Sequence, residues 1–208
     1  MQSKEHWEKV YASKAPTEVS WFQQHAELSL RLVRETGISL NASIIDVGGG
    51  ASTFVDDLLR SGYQNVTVLD ISGAALTAAK VRLGSSRSAR VHWLETGVLD
   101  AELPARAYDL WHDRAVFHFL VTPEARRAYI QTVLKSVKPG GLVIVATFAE
   151  DGPTTCSGLP VMRYSVNGLR EELGDLFVLI KHEREAHRTP AGKIQPFIYC
   201  VFRKAVLG

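Results

Sequence analysis

Three observations predict an α/β fold: a mostly parallel sheet with helices on both faces and an antiparallel last strand. First, residues 43–53 read as a short buried strand, a glycine turn and the opening of a helix; Ile44, Ile45 and Val47 are the apolar run and Asp46 is the acid near its end. Second, strand and helix patterns alternate from there to about residue 173, as parallel strands joined by helical crossovers require. Third, the last two strand patterns are joined by residues 183–196, too short for a helical crossover, so those strands should pair antiparallel. At 208 residues the chain suits one domain, with a helical cap over 1–40 and a core over 41–208.

Residues 3–12 carry Trp7, Val10 and Tyr11 at helical spacing, with Ser3 as N-cap and Pro16 as the break. Residues 19–22 form an irregular apolar knot, and a second helix is expected from about residue 24 to 35, ended by Gly37. This leader has no role in a bare doubly wound sheet. Its Trp7, Tyr11, Trp21 and Phe22 read either as a cap over a pocket or as cover for the sheet edge. Gly48-Gly49-Gly50 lets the backbone turn sharply beside a ligand, and residues 51–59 open a helix whose free N–H groups face that turn. Residues 66–69 form the second strand, closed by Asp70. Ser72 then caps a helix to about residue 83, followed by a loop over 84–88. Residues 89–94 and 108–113 are the third and fourth strands. Thr122 as N-cap with Pro123 in the first turn starts a helix that places Ile130, Val133, Leu134 and Val137 on one face. Gly140-Gly141 turns into the fifth strand, residues 142–147, and the long stretch 148–164 reads as a binding loop or lid. Ser165 caps a last helix to about residue 173, and residues 177–181 and 197–202 are the sixth and seventh strands.

Composition narrows the class. Hydrophobic residues at 46% and charged residues at 22% are ordinary for a soluble globular chain. A net charge of +2, with no block of like charge, gives no footprint for nucleic acid. No apolar run approaches a membrane span, and Cys156 and Cys200 cannot build a disulfide framework, so the chain is expected to be cytoplasmic with reduced thiols. No His/Cys/Asp set has metal-ligand spacing, and no metal is expected.

On such sheets ligands bind outside the carboxyl ends of the parallel strands. That brings residues 46–52, 70–73, 95–100, 113–118, 148–164 and 183–196 to one face. The glycine turn, with Asp70 about 20 residues on where a ribose diol needs an acceptor, makes a nucleotide-ligand platform. Nicotinamide dinucleotides and S-adenosylmethionine both suit it, but the dinucleotide fingerprint wants a third glycine where Thr53 stands.

Ile45-Asp46-Val47-Gly48-Gly49-Gly50 resembles the first motif of class I S-adenosylmethionine-dependent methyltransferases, acid-x-Gly-x-Gly. Asp70 matches that family's ribose acid, Tyr108 to Arg114 resembles its fourth strand, and Lys138-Pro139-Gly140-Gly141 its turn into the fifth. The resemblance runs from about Ile44 to the C-terminus. It implies a Rossmann-like seven-stranded sheet, S-adenosyl-L-methionine as cofactor, and methyl transfer by in-line displacement. By the same resemblance Gly48 and Gly50 admit the methionine part and ribose, and Asp70 takes the ribose hydroxyls. Ile71 and Val98, with Gly97, hold the adenine; Asp46 receives the ammonium; Asp113 and Arg114 stand where cofactor and acceptor meet. The family's Gly-Asp pair after the third strand is here Thr96-Gly97, which leaves the adenine amino group to backbone groups or Glu95.

A base is needed only if the acceptor must lose a proton before attack. The candidates are His118 and His187, with His112 nearby and Asp113 beside the transfer point. Trp7, Tyr11, Trp21, Cys156, Arg163, Tyr164 and Arg188 are the candidate acceptor residues, the two arginines favouring an anionic acceptor. A small-molecule acceptor is the first expectation and a protein lysine the second. A catalytically silent S-adenosylmethionine-binding module is the reading from a different class.

Overall fold

The structure, a computed structural model, describes residues 4–206. Its main sheet contains β1 (Ser43–Val47), β2 (Asn65–Asp70), β3 (Val91–Glu95), β4 (Tyr108–Arg114), β5 (Val137–Phe148), β6 (Phe177–Arg188) and β7 (Ile194–Lys204), in the order β3-β2-β1-β4-β5-β7-β6. The first five strands are mutually parallel, and β7 lies between β5 and β6, antiparallel to both. The order reverses between β1 and β4, which opens a crevice above their carboxyl ends. Asp46 sits there, in register with Val68 on one side and His112 on the other.

Two-residue alternation sends β1 into two cores. Ile44 joins Val66, Leu110 and Ile144 on one face, while Ile45 and Val47 join Leu69, Trp111 and Val143 on the other. The first face is covered by α2 (Glu27–Glu35), α3 (Phe54–Arg60) and α4 (Gly73–Ser88), through residues such as Leu32, Phe54 and Leu76. The second face is covered by α5 (Pro123–Ser136) and α6 (Val166–Leu173), through Tyr129, Val133 and Leu169. Thr122 and Ser165 cap these last two helices, each accepting from the backbone N–H three residues on, and Ser72 does the same for α4. Among the described residues no helix is long and apolar enough to cross a membrane.

Several expected boundaries move, each for a physical reason. The expected Ser3 cap lies outside the described residues; α1 spans Lys4–Ser13 and buries none of its residues. α2 begins at Glu27 because Asp57 of α3 accepts from Ala26 N at 2.8 Å, a cap supplied from another helix. α3 begins at Phe54, not residue 51, since Arg82 of α4 holds the carbonyls of Ala51 (2.7 Å) and Ser52 (2.6 Å) in an extended turn. The chain after Leu83 breaks at Gly84 but resumes helically to Ser88 where a loop was expected. β5 starts at Val137, ahead of the glycine pair. β6 and β7 are much longer than their apolar cores: residues 183–188 and 194–196 are paired strand, leaving only 189–193 as connection. β6 is an edge strand whose charged residues, such as Glu183 with Arg31 and Arg184 with Asp151, blunt the edge and hide its strand pattern.

Candidate active site

The glycine turn is pinned from below. Gly48 N and Gly49 N both donate to Leu69 O, at 2.7 and 3.2 Å, which locks the turn onto the end of β2. Gly48 has φ of +67°, and a Cβ there would overlap the Val116 side chain. A Cβ on Gly50 would come within 2.6 Å of Asp70 Oδ2, so this turn and the β2 acid have grown together. Asp70 is buried; its Oδ1 accepts from Ser72 N at 2.8 Å. Burial pushes its carboxyl up to about 7, with the nearby Asp46 and Glu8 carboxylates adding to the effect.

Beside this turn runs a cleft of about 340 Å³. It is lined by Gly48, Asp70, Ile71, Thr96, Gly97 and Val98 from the ends of the first three strands and by Arg114, Val116, Phe119, Leu120 and Cys156 from the segments after them. Its roof is α1 with the strap that follows. Trp7 meets Trp21 edge-on at 5.7 Å and Phe119 at 5.3 Å, and Tyr11 meets Trp21 at 6.2 Å. Polar ties hold the roof in place. Glu8 accepts from Gly73 N at 2.7 Å and Ala74 N at 3.3 Å, placing a carboxylate on the first turn of α4, and Lys4 pairs with Glu95. The strap is held through backbone carbonyls: Arg114 Nη1 donates to Trp21 O (3.2 Å), Thr53 Oγ1 to Gln23 O (2.9 Å) and His187 Nε2 to Ser20 O (2.8 Å). Of the two readings of the aromatic leader, cap or edge cover, the structure shows the cap.

Arg114 is largely buried and fully engaged. Its Nε donates to Tyr199 Oη at 2.7 Å, Nη2 pairs with Glu185 at 3.3 Å, and the guanidinium stacks 4.4 Å from the Phe197 ring. On the same face, Asp46 Oδ1 lies 2.7 Å from His112 Nδ1, and His112 Nε2 lies 2.9 Å from Ser29 Oγ.

Trp7, Tyr11, Trp21, Gly48, Asp70, Ile71, Gly97, Val98, Arg114 and Cys156 therefore come together around one cleft. Gly50 and Asp46 stand directly behind it: Gly50 against Asp70, and Asp46 in the small adjoining space that Gly48 also lines. Other expectations are corrected. Asp113 points to the opposite face of the sheet, where it accepts from Tyr129 Oη at 2.6 Å, Val116 N at 2.9 Å and Phe117 N at 3.0 Å. Its bonds brace the loop under the cleft, and it does not line it. His118 is wholly buried among Phe119, Phe148 and Phe197, and burial with Arg114 nearby drives its pKa down to about 3. His187 is spent on Ser20 O and is likewise shifted down by burial. Arg163 binds the carbonyls of Glu150 and Gly152 within its own loop, and Arg188 binds Gly192 O at the exposed hairpin tip. Tyr164 packs on Phe117 behind the wall. Glu95 pairs with Lys4 and is not among the residues that line the cleft. With Arg163 and Arg188 elsewhere, the expectation of an anionic acceptor loses its basis. The Cys156 thiol, pushed up to about 11 by burial, stays protonated and is a wall, not a nucleophile.

Some residues escaped sequence reasoning. Phe119 lines the cleft, Glu8 and Arg82 brace the roof and the turn, and Glu185 balances Arg114. Only Phe119 carried a signal, as an aromatic in the segment after β4.

A family model described as "Methyltransferase domain" matches residues 45–143, the span from the glycine turn into β5. The chain is 24% identical over 158 residues to EEF1A lysine methyltransferase 2 of Danio rerio, covering 70% of this chain and 68% of that protein. Among solved structures, it resembles an S-adenosylmethionine-dependent methyltransferase from Anabaena variabilis (TM-score 0.73, 15% identity, 98% of this chain and 96% of the other). It also resembles 1,6-didemethyltoxoflavin-N1-methyltransferase of Burkholderia thailandensis, solved with bound 1,6-didemethyltoxoflavin and S-adenosylhomocysteine (TM-score 0.68, 21% identity, 98% and 84%). Motif, sheet order and site agree with these matches, which are methyltransferases, and the fold is that of the S-adenosylmethionine-dependent methyltransferases among them.

Proposed function

We propose that this chain transfers a methyl group from S-adenosyl-L-methionine to a small-molecule acceptor enclosed beneath α1. The observation that carries this reading is the roof: Trp7, Trp21 and Phe119 pack edge-on against one another along the cleft that Arg114 also lines, and narrow its opening. The residues present suit the cofactor. Asp70 offers a buried carboxylate to a ribose diol, Ile71 and Val98 offer apolar walls to adenine, and the bare backbone of Gly48 leaves room for the chain between them. Asp46 Oδ2 is buried with no hydrogen-bond partner among the described residues, and a cofactor ammonium would satisfy it. When bound, the cofactor supplies a methyl group activated on a sulfonium.

The chain's own contribution is placement and exclusion of water. The roof narrows the acceptor's approach to one direction, which is where most of the rate of an in-line displacement comes from. Arg114, fixed by Glu185 and Tyr199, sets the shape of the acceptor end. His118 and His187 lie outside the cleft, which favours an acceptor whose attacking lone pair is free near neutral pH. His187→Gln is therefore expected to leave the pH profile of kcat unshifted, measured as rate against pH. A lost or displaced limb in that profile would return His187 to the chemistry.

A protein lysine acceptor is the second reading, supported by the likeness to the EEF1A lysine methyltransferases. The two are separated by incubating the full chain with methyl-labelled S-adenosylmethionine and either the small-molecule or the protein fraction of a cell extract. Label in the small-molecule fraction is expected; label confined to a protein band would overturn the first reading. Once an acceptor is in hand, Trp7→Ala should raise its KM about tenfold while cofactor Kd stays within about threefold, because Trp7 roofs the acceptor end.

A further inference from the structure

The buried row Asp46, His112 and Ser29 has no role in the fold's packing that an apolar trio would not fill. Asp46 is 2% exposed, His112 2% and Ser29 1%, in the middle of a core where polar groups are costly unless something needs them. Asp46 Oδ1 lies 2.7 Å from His112 Nδ1. A carboxylate only accepts, so Nδ1 carries the proton and the other ring nitrogen pairs with Ser29 Oγ at 2.9 Å. The ring packs at a tilt against Phe54, with centroids 4.2 Å apart and planes 37° apart. One oxygen of Asp46 is thus fully committed, while Oδ2 is buried under the glycine turn, next to Gly49, with no partner among the described residues. Ser29 belongs to α2, so the carboxylate's orientation is set jointly by β4 and by the leader.

We propose that His112 and Ser29 are positioning residues for the cofactor's amino-acid end: they fix Asp46 so that its free oxygen is presented to the ammonium. This rests on the cofactor reading given above. The contribution is geometric. His112 touches neither cofactor nor acceptor, and it acts by removing the rotational freedom of one carboxylate.

The test compares two ligands that share adenosine and sulfur but differ in the amino-acid end: S-adenosylhomocysteine, and 5′-methylthioadenosine, which lacks it. Affinities are measured by calorimetry on the full chain, with thermal melts to confirm that each variant is folded. His112→Leu is expected to weaken S-adenosylhomocysteine about tenfold and 5′-methylthioadenosine by less than about twofold. His112→Asn, whose amide nitrogen can stand where Nδ1 stood, is expected to restore the parental preference to within about threefold. Ser29→Ala, the milder change, should lower the preference about threefold with the fold intact. Equal weakening of both ligands by the Leu and Ala variants would mark a purely structural role and overturn the proposal. So would an Asn variant no better than Leu. A parent chain that binds S-adenosylhomocysteine without preferring it would remove the ammonium from Asp46 and sink this proposal alone, whereas a parent that binds neither ligand would sink the cofactor reading itself.

Discussion

Gly48→Ala is expected to weaken S-adenosylhomocysteine binding at least about a hundredfold, roughly 2.7 kcal/mol or more, and to destabilise the fold by about 1–3 kcal/mol. Two causes act together. Gly48 sits at φ +67°, which an L side chain adopts only at a cost of about 1–2 kcal/mol. Its new methyl group would also overlap Val116, and both residues line the cleft, so relief of the overlap must come by deforming the ligand's own space. Gly192→Ala separates the two causes. Gly192 has φ +80° but nothing within 4 Å of an added Cβ, so it should lose stability by a similar strain and keep full affinity. Calorimetry and urea denaturation of both variants make the comparison. Parental affinity in Gly48→Ala would show that the turn is not part of the binding surface.

Asp70→Asn is expected to weaken the same ligand about tenfold or more at pH 8, and to flatten its pH dependence. The sign follows from the raised carboxyl. Asp70 moves from 3.8 to about 7 because burial disfavours its charge, so the free folded chain holds a proton there that the unfolded chain has released. Within that window this group's contribution lowers the stability of the unliganded chain as pH rises, since the unfolded state binds fewer protons. Ligand binding runs the other way. Ribose hydroxyls donate to the ionised form, so binding expels the proton and affinity should climb as pH rises toward and just past about 7, then level off. Titrations from pH 5.5 to 8.5 in about half-unit steps on parent and Asn variant check this. A parent whose affinity is flat or falls with pH would mean that Asp70 does not receive the hydroxyls.

The parts of the fold that were legible in the sequence are those where the signal is local. β1 with its glycine turn, β2 with Asp70, and the helix starts at Ser72, Thr122 and Ser165 each carry their own residues of strand, turn or cap. What was missed depended on distant partners. The start of α2 is set by Asp57, thirty-odd residues away, and the length of β6 by charges that serve an exposed edge. Asp113 and Arg114 were expected together at the transfer point, and only Arg114 lines the cleft. Neighbours in a strand point to opposite faces, so both could not enter one cleft. Register decided between them: His112 and Arg114 share the face of Asp46 and Tyr199, and Asp113 shares that of Trp111 and Tyr129. The leader's aromatics left cap and edge cover both open in the sequence, and their edge-on grouping with Phe119 and the Glu8 tie to α4 emerge only in three dimensions.

The most direct test of the whole account is titration calorimetry of the full chain with S-adenosylhomocysteine and, separately, with NAD. The account predicts one site per chain for S-adenosylhomocysteine with a micromolar Kd, roughly −8 kcal/mol, and NAD at least about tenfold weaker because Thr53 stands where the dinucleotide turn needs glycine. NAD binding tighter than S-adenosylhomocysteine, or no heat from S-adenosylhomocysteine across the pH range, would contradict it.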